Sequence, residues 1–248
     1  MMNKKILIEI CVDNAESALS AQKGGADRIE LCSELGAGGL TPSKGLIEYL
    51  TSNLQIPVFV MIRPRSGDFL FSRAEFQIMK ADIFAAKVAG AAGIVTGMLN
   101  SNSTIDTCRM KEIIDCASPL PVTFHRAFDM VQDQIIALEE LIELGCSRVL
   151  TSGGSISAYE GRNVITELNN LSQGRIIIMP GAGVNAQNIS ELIETTKCNE
   201  FHLSASSQSP IKVKNYNEPL ESVFPPSYRI TDNNKVEEVC RTANPLTN

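Results

Sequence analysis

The sequence predicts an α/β chain folded as a single closed (β/α)8 barrel of the TIM type. Eight short β-branched runs recur along it, an amphipathic stretch follows nearly every one, and no Pro/Gly/Ser linker interrupts the series. The predicted strands are Ile6–Ile10, Arg28–Leu31, Val58–Ile62, Gly93–Val95, Val122–Phe124, Arg148–Leu150, Ile176–Met179 and Glu200–Leu203. An open doubly wound sheet is the rival arrangement, and eight near-equal units favour closure.

The helices are predicted over Asn14–Lys23, Ser43–Leu50, Glu75–Ala89, Arg109–Cys116, Ile135–Leu144, Tyr159–Leu171 and Ala186–Glu194. Their apolar residues recur at three- and four-residue spacing, as in Ile135, Leu138, Leu141 and Ile142. Gly24 and Gly145 suit left-handed caps. A length of 248 residues fits one such domain, with the barrel core over about 6–206 and a tail over 207–248. The tail is expected to run irregularly over the barrel from Gln208 to Arg229, through Pro210, Pro219, Pro225 and Pro226. A short helix over Asp232–Thr242 then closes the ring.

Apolar residues make up 44% and charged residues 20%, which excludes wholesale disorder. A net charge of -6, a pI near 5.1 and no basic cluster argue against a nucleic-acid surface. The segment Met1–Ile10 lacks a signal-peptide core, and nothing later approaches the roughly 20 apolar residues of a membrane span. The expectation is therefore a cytoplasmic protein without nucleic-acid or membrane partners. Seven cysteines, an odd number with no CxxC pair, are expected as free thiols. Cys108, Cys116, Cys146, Cys198 and Cys240 fall in or beside helices and are expected to pack as small hydrophobes.

In a barrel of this type, the loops after the strands build the active site. Here almost every strand delivers a polar group at its C-terminal end: Glu9 and Cys11, Glu30 and Cys32, Arg63 and Arg65, His125 and Arg126, Ser152 and Gly153, Gly181 and Gly183, His202 and Ser204. Both histidines of the chain sit in this layer. Glu9 and Glu30 lie inside apolar strands, where carboxylates need partners. With His125 and His202 they read as acid–base groups or ligands. The alternative is salt bridges to Arg63, Arg148 or lysines that stiffen the barrel.

Arg63 and Arg65, held extended around Pro64, suit a carboxylate or phosphate. The alternative is a loop brace to Asp68 or Asp129. Gly181-Ala182-Gly183, leading into a helix, with Ser204-Ala205-Ser206 after the last strand, places backbone N–H groups where barrels bind anions. Arg126, Ser152 and Gly153 extend that candidate pocket, or else form a plain tight turn. No lysine stands at a strand end, so Schiff-base aldolase chemistry is not expected, nor is an organic cofactor.

Ile8-Glu9-Ile10-Cys11 and Ile29-Glu30-Leu31-Cys32 are nearly one tetrapeptide repeated 21 residues apart. On neighbouring strands about 4.8 Å apart, Cys11 and Cys32 could share one soft ion, for which thiolates favour Cu(I). Two inert thiols at the pocket rim are the alternative.

Taken together, these motifs resemble the CutC family, named for copper homeostasis. The resemblance rests on Ile8–Cys11, Gly24–Cys32, Gly38–Ser43, Ile62–Arg65, Gly67–Phe69, Thr123–Asp129, Arg148–Gly153, Gly181–Gly183 and Phe201–Ala205, spanning roughly residues 6 to 206. It implies a cytoplasmic barrel, self-associating as a dimer or tetramer, linked to copper tolerance through Cu(I), with Cys11 and Cys32 as metal ligands. It supplies no reaction. The alternative expectation is an enzyme acting on a small phosphorylated or carboxylated metabolite. There Glu9, Glu30, His125 and His202 would move protons, and Arg63, Arg65 and the Gly181–Gly183 turn would hold the anion.

Overall fold

A computed structural model describes residues 5–209, 225 and 227–245. Eight parallel strands form the ring: β1 (Leu7–Val12), β2 (Arg28–Leu31), β3 (Val58–Met61), β4 (Gly93–Thr96), β5 (Val122–Phe124), β6 (Arg148–Thr151), β7 (Ile177–Pro180) and β8 (Glu200–Leu203). Each pairs with its sequence neighbour, β1 also pairs with β8, and β7 lies beside β8 without a backbone ladder. The helices between them are α1 (Ala15–Lys23), α2 (Lys44–Asn53), α3 (Arg73–Val88), α4 (Thr107–Ala117), α5 (Gln134–Leu144), α6 (Arg162–Ser172) and α7 (Ile189–Thr196). The predicted (β/α)8 barrel is the fold, and no described helix is long and apolar enough to cross a membrane.

Local chemistry sets the helix starts. Asn14, Ser43, Ser72, Asp106 and Asp133 each accept a backbone N–H from the first turn. Ser72 and Glu75 form a reciprocal capping box, which starts α3 two residues before the predicted boundary. Gly145 takes the expected left-handed cap, whereas Gly24 does not. Its φ is -77°, and Gly25 carries the positive φ instead. Gly24 is small for another reason. A Cβ there would lie 2.5 Å from Cβ of Val236, on α8 (Asn233–Ala243), the closing helix expected from the sequence.

The tail departs from an irregular path at its two ends. β9 (Ser206–Gln208) pairs antiparallel with β10 (Arg229–Thr231), while residues 210–224 and 226 lie outside the described residues. Cys146 and Cys198 are buried as expected, but Cys108 and Cys116 are exposed on α4.

Strand alternation divides the side chains. Ile8, Ile10, Ile29, Leu31, Val60, Ile62, Ile94 and Phe201 face outward into the main core with the helices. Phe59, Met61, Val95 and Cys32 form a separate cluster inside the ring. The polar residues in phase with this inner set build the site.

Candidate metal centre

The lower interior is a charged layer. Glu9 is fully buried and pairs with Arg28 Nε, while Arg28 Nη2 donates to Glu200 Oε2 at 2.7 Å. Arg148 Nε reaches the same Glu200 oxygen at 3.0 Å. The Phe59 ring lies against both guanidiniums, 4.7 Å from Arg28 and 5.1 Å from Arg148. Arg28 and Glu200, which complete this layer, are not among the candidates read from the sequence. Their signal was available, because each stands two residues before an inward polar group, Glu30 and His202, and so shares its face.

Glu9 also supports the layer above. Its Oε1 lies 2.8 Å from His202 Nδ1, a hydrogen bond donated by the imidazole. Burial pushes the Glu9 carboxyl up, but Arg28 and His202 outweigh it and bring it down to about 2. His202 Nε2 then faces Glu30 Oε2 at 3.8 Å. Burial lowers the His202 pKa, yet Cys11, Glu30 and Glu9 together hold it well above the ordinary imidazole value.

Cys11 Sγ, a Glu30 carboxylate oxygen and a His202 ring nitrogen all lie within 4.8 Å of one another. Glu30 is kept more basic than usual by burial and by Glu9, and its Oε1 is buried without a partner. The three groups could hold a metal ion: Glu9 fixes the His202 ring through Nδ1, and Nε2 faces Glu30 beside Cys11. Cys11 is half-buried and lines an open pocket of about 420 Å³ with Asp13, Leu35, Gly36, Ser204 and Arg229.

The repeated tetrapeptides are staggered rather than level. The β1–β2 register sets Glu9 opposite Arg28 and Cys11 opposite Glu30, which lifts Cys32 one layer above Cys11. The Cys32 thiol donates to Glu30 Oε2 at 3.4 Å. Burial, and then Glu30, push its pKa well up.

Several of the remaining candidates have partners outside this group. Arg65 is clamped by Asp68 and Glu75, the loop brace. Asp129 accepts from Ser152 N, Gly154 N and Thr151 Oγ1 and pairs with Arg126, while Gly153 N donates to Thr151 Oγ1, so the loop turns its donors inward onto Asp129 and Thr151. Gly181 N donates to Thr151 O, the Gly183 carbonyl accepts from Asn185 and Asn188, and Ser204 Oγ lies 3.3 Å from Ser206 Oγ.

Arg63 and His125 are buried in phase with the inner set but are not part of the Cys11–Glu30–His202 group; His125, just after β5, lies across the ring from β1, while Arg63 is near Cys32. A Cβ on Gly97 would sit 2.7 Å from the His125 ring. Gly97→Ala is therefore expected to cost about 1–3 kcal/mol through overpacking, read as a lowered urea midpoint.

Fold and site thus define a (β/α)8 barrel protein with a buried carboxylate–imidazole–thiol centre. The family model for the CutC family matches residues 6–207, and the chain belongs to that family. A copper homeostasis protein cutC homolog of Homo sapiens is 51% identical over 211 residues, which are 84% of this chain and 77% of the human protein. A family protein CutC of Histophilus somni is 52% identical over 83% of this chain and 85% of its own. The crystal structure of CutC from Streptococcus agalactiae superposes with a TM-score of 0.77 at 35% identity, covering 80% of this chain and 98% of that one.

Proposed function

We propose that the chain is a cytosolic copper-handling protein that binds Cu(I) at the barrel mouth. The observation that carries this reading is the convergence of Cys11, His202 and Glu30 at the foot of an open pocket. Cys32, bonded to Glu30 from above, supplies a second thiol at the edge of the same cluster. A thiolate and an imidazole are soft and borderline donors that suit Cu(I), and the unpartnered Glu30 Oε1 is an acceptor that a cation satisfies. Binding displaces protons from the thiol and from His202 Nε2, while Glu9 keeps the ring aligned through Nδ1.

Cu(I) competition against a chromogenic chelator, under anaerobic reducing conditions, tests the reading. One Cu(I) per chain is expected in the wild type, with affinity about tenfold or more weaker in Cys11→Ser. Stoichiometric binding should be lost in the folded Cys11→Ala/Cys32→Ala variant. Unchanged affinity in the double variant would reduce the two cysteines to packing.

A further inference from the structure

We propose that Arg63 and His125 form a binding site for a small carboxylate inside the barrel, built from groups that the copper reading does not use. Arg63 is only 5% exposed. Its Nη1 donates to the carbonyls of Ala37 and Gly39 and its Nη2 to that of Gly67, all neutral acceptors. Among the described residues no carboxylate forms an ion pair with it, and its Nε has no partner. A buried guanidinium satisfied only by carbonyls retains an uncompensated positive charge, which is unfavourable unless an anion joins it.

His125 presents the complementary group. It is 4% exposed, and its Nδ1 accepts the Ala127 N–H at 3.2 Å. The neutral ring therefore carries its proton on Nε2, which is also buried and unpartnered. Burial, and then Arg63, push its pKa down to about 3, so the ring stays neutral at physiological pH.

Both groups pack against one aromatic platform. The Arg63 guanidinium lies 5.0 Å from the Phe69 centroid, and the His125 ring lies 4.9 Å from it. Two orphan N–H donors, one of them cationic, call for an oxygen acceptor that bears negative charge. A metal ion cannot fill this role, because neither group offers it a lone pair. The inference therefore goes beyond the copper reading and does not depend on it.

Two buried N–H donors against one ring suit a compact, planar carboxylate, which can accept from both. The segment whose Ala37 and Gly39 carbonyls hold Arg63 also carries Leu35 and Gly36, which line the open pocket above Cys11. One short stretch of chain thus both holds Arg63 and lines that opening.

The chain has two histidines, so ¹⁵N-histidine labelling isolates the His125 ring. Wild-type protein is titrated separately with acetate, succinate and inorganic phosphate, following the His125 Nε2 resonance. The expected result is a saturable shift with a carboxylate, weakened about tenfold or more in His125→Phe and in Arg63→Gln. Cu(I) affinity should be unchanged in His125→Phe, whose ring touches none of the proposed metal ligands, which separates failure here from failure of the copper reading. Three results would overturn the carboxylate site: no carboxylate moving the resonance while phosphate does, no response to any of the three, or undiminished carboxylate affinity in His125→Phe. A high-resolution crystal structure grown with acetate, in which one water bridges both donors, would also overturn it.

Discussion

Arg28→Met is expected to destabilise the protein by about 3–5 kcal/mol, because it leaves buried carboxylates without their shared cation. Arg28 joins Glu9 on β1 to Glu200 on β8 and lies against Phe59, so one side chain neutralises two carboxylates on adjoining strands. Arg148 still holds Glu200 in the variant, but Glu9 keeps only His202. For a chain of this size the loss corresponds to a fall in melting temperature of roughly 10 °C. The deficit should also depend on pH. Glu9 titrates near 2 in the folded protein against an ordinary 4.5, so its contribution is complete above about 4.5 and fades as pH falls toward 2. Thermal unfolding of wild type and variant at pH 7 and pH 3.5 measures both effects. A midpoint unchanged at pH 7 would mean that the charged layer contributes no net stability.

Acidification is expected to weaken the wild type through His125, by about 2 kcal/mol between pH 7 and pH 5. The folded ring takes a proton only near pH 3, whereas the unfolded ring does so near the ordinary 6.5. Across that interval the unfolded state binds the extra proton, so stability falls as pH falls from about 6.5 to about 3. His125→Phe keeps an aromatic ring between Phe124 and Phe69 but removes the titration. Urea midpoints at pH 7 and pH 5 should therefore drop more in the wild type than in the variant. Equal drops in both would assign the acid sensitivity to groups other than His125; Glu30, whose carboxyl is harder to ionise in the folded protein, works in the opposite direction.

Much of the fold was legible because strand polarity and helix caps are local. Arg28–Leu31, Val122–Phe124 and Glu200–Leu203 are predicted with the observed bounds. The first strand runs on to Val12, past its predicted end at Ile10, since Cys11 and Val12 stay in register with Glu30 and Leu31. Polar residues inside apolar runs exposed Glu9, Glu30 and His202. What could not be read was register. The stagger between β1 and β2 is set by the shear that lets the whole ring close, and no tetrapeptide contains it. That stagger gives two nearly identical segments opposite charge behaviour: Glu9 is held ionised by Arg28, while Glu30, beside Cys11, is made harder to ionise. Arg65 could not be read for a similar reason, since its brace to Glu75 depends on how the loop before α3 folds back.

The junction between β7 and β8 has a mechanical meaning of its own. Backbone bonds lace the cylinder along every seam except this one, so the barrel is a rolled sheet with a slit down its length. Gly181 lies on one lip, and the His202 side chain on the other passes 3.4 Å from where a glycine Cβ would stand. Parting these lips breaks no ladder bond, whereas parting any other pair of strands does. The imidazole proposed to hold the metal is therefore mounted on the side of the cylinder that yields most easily.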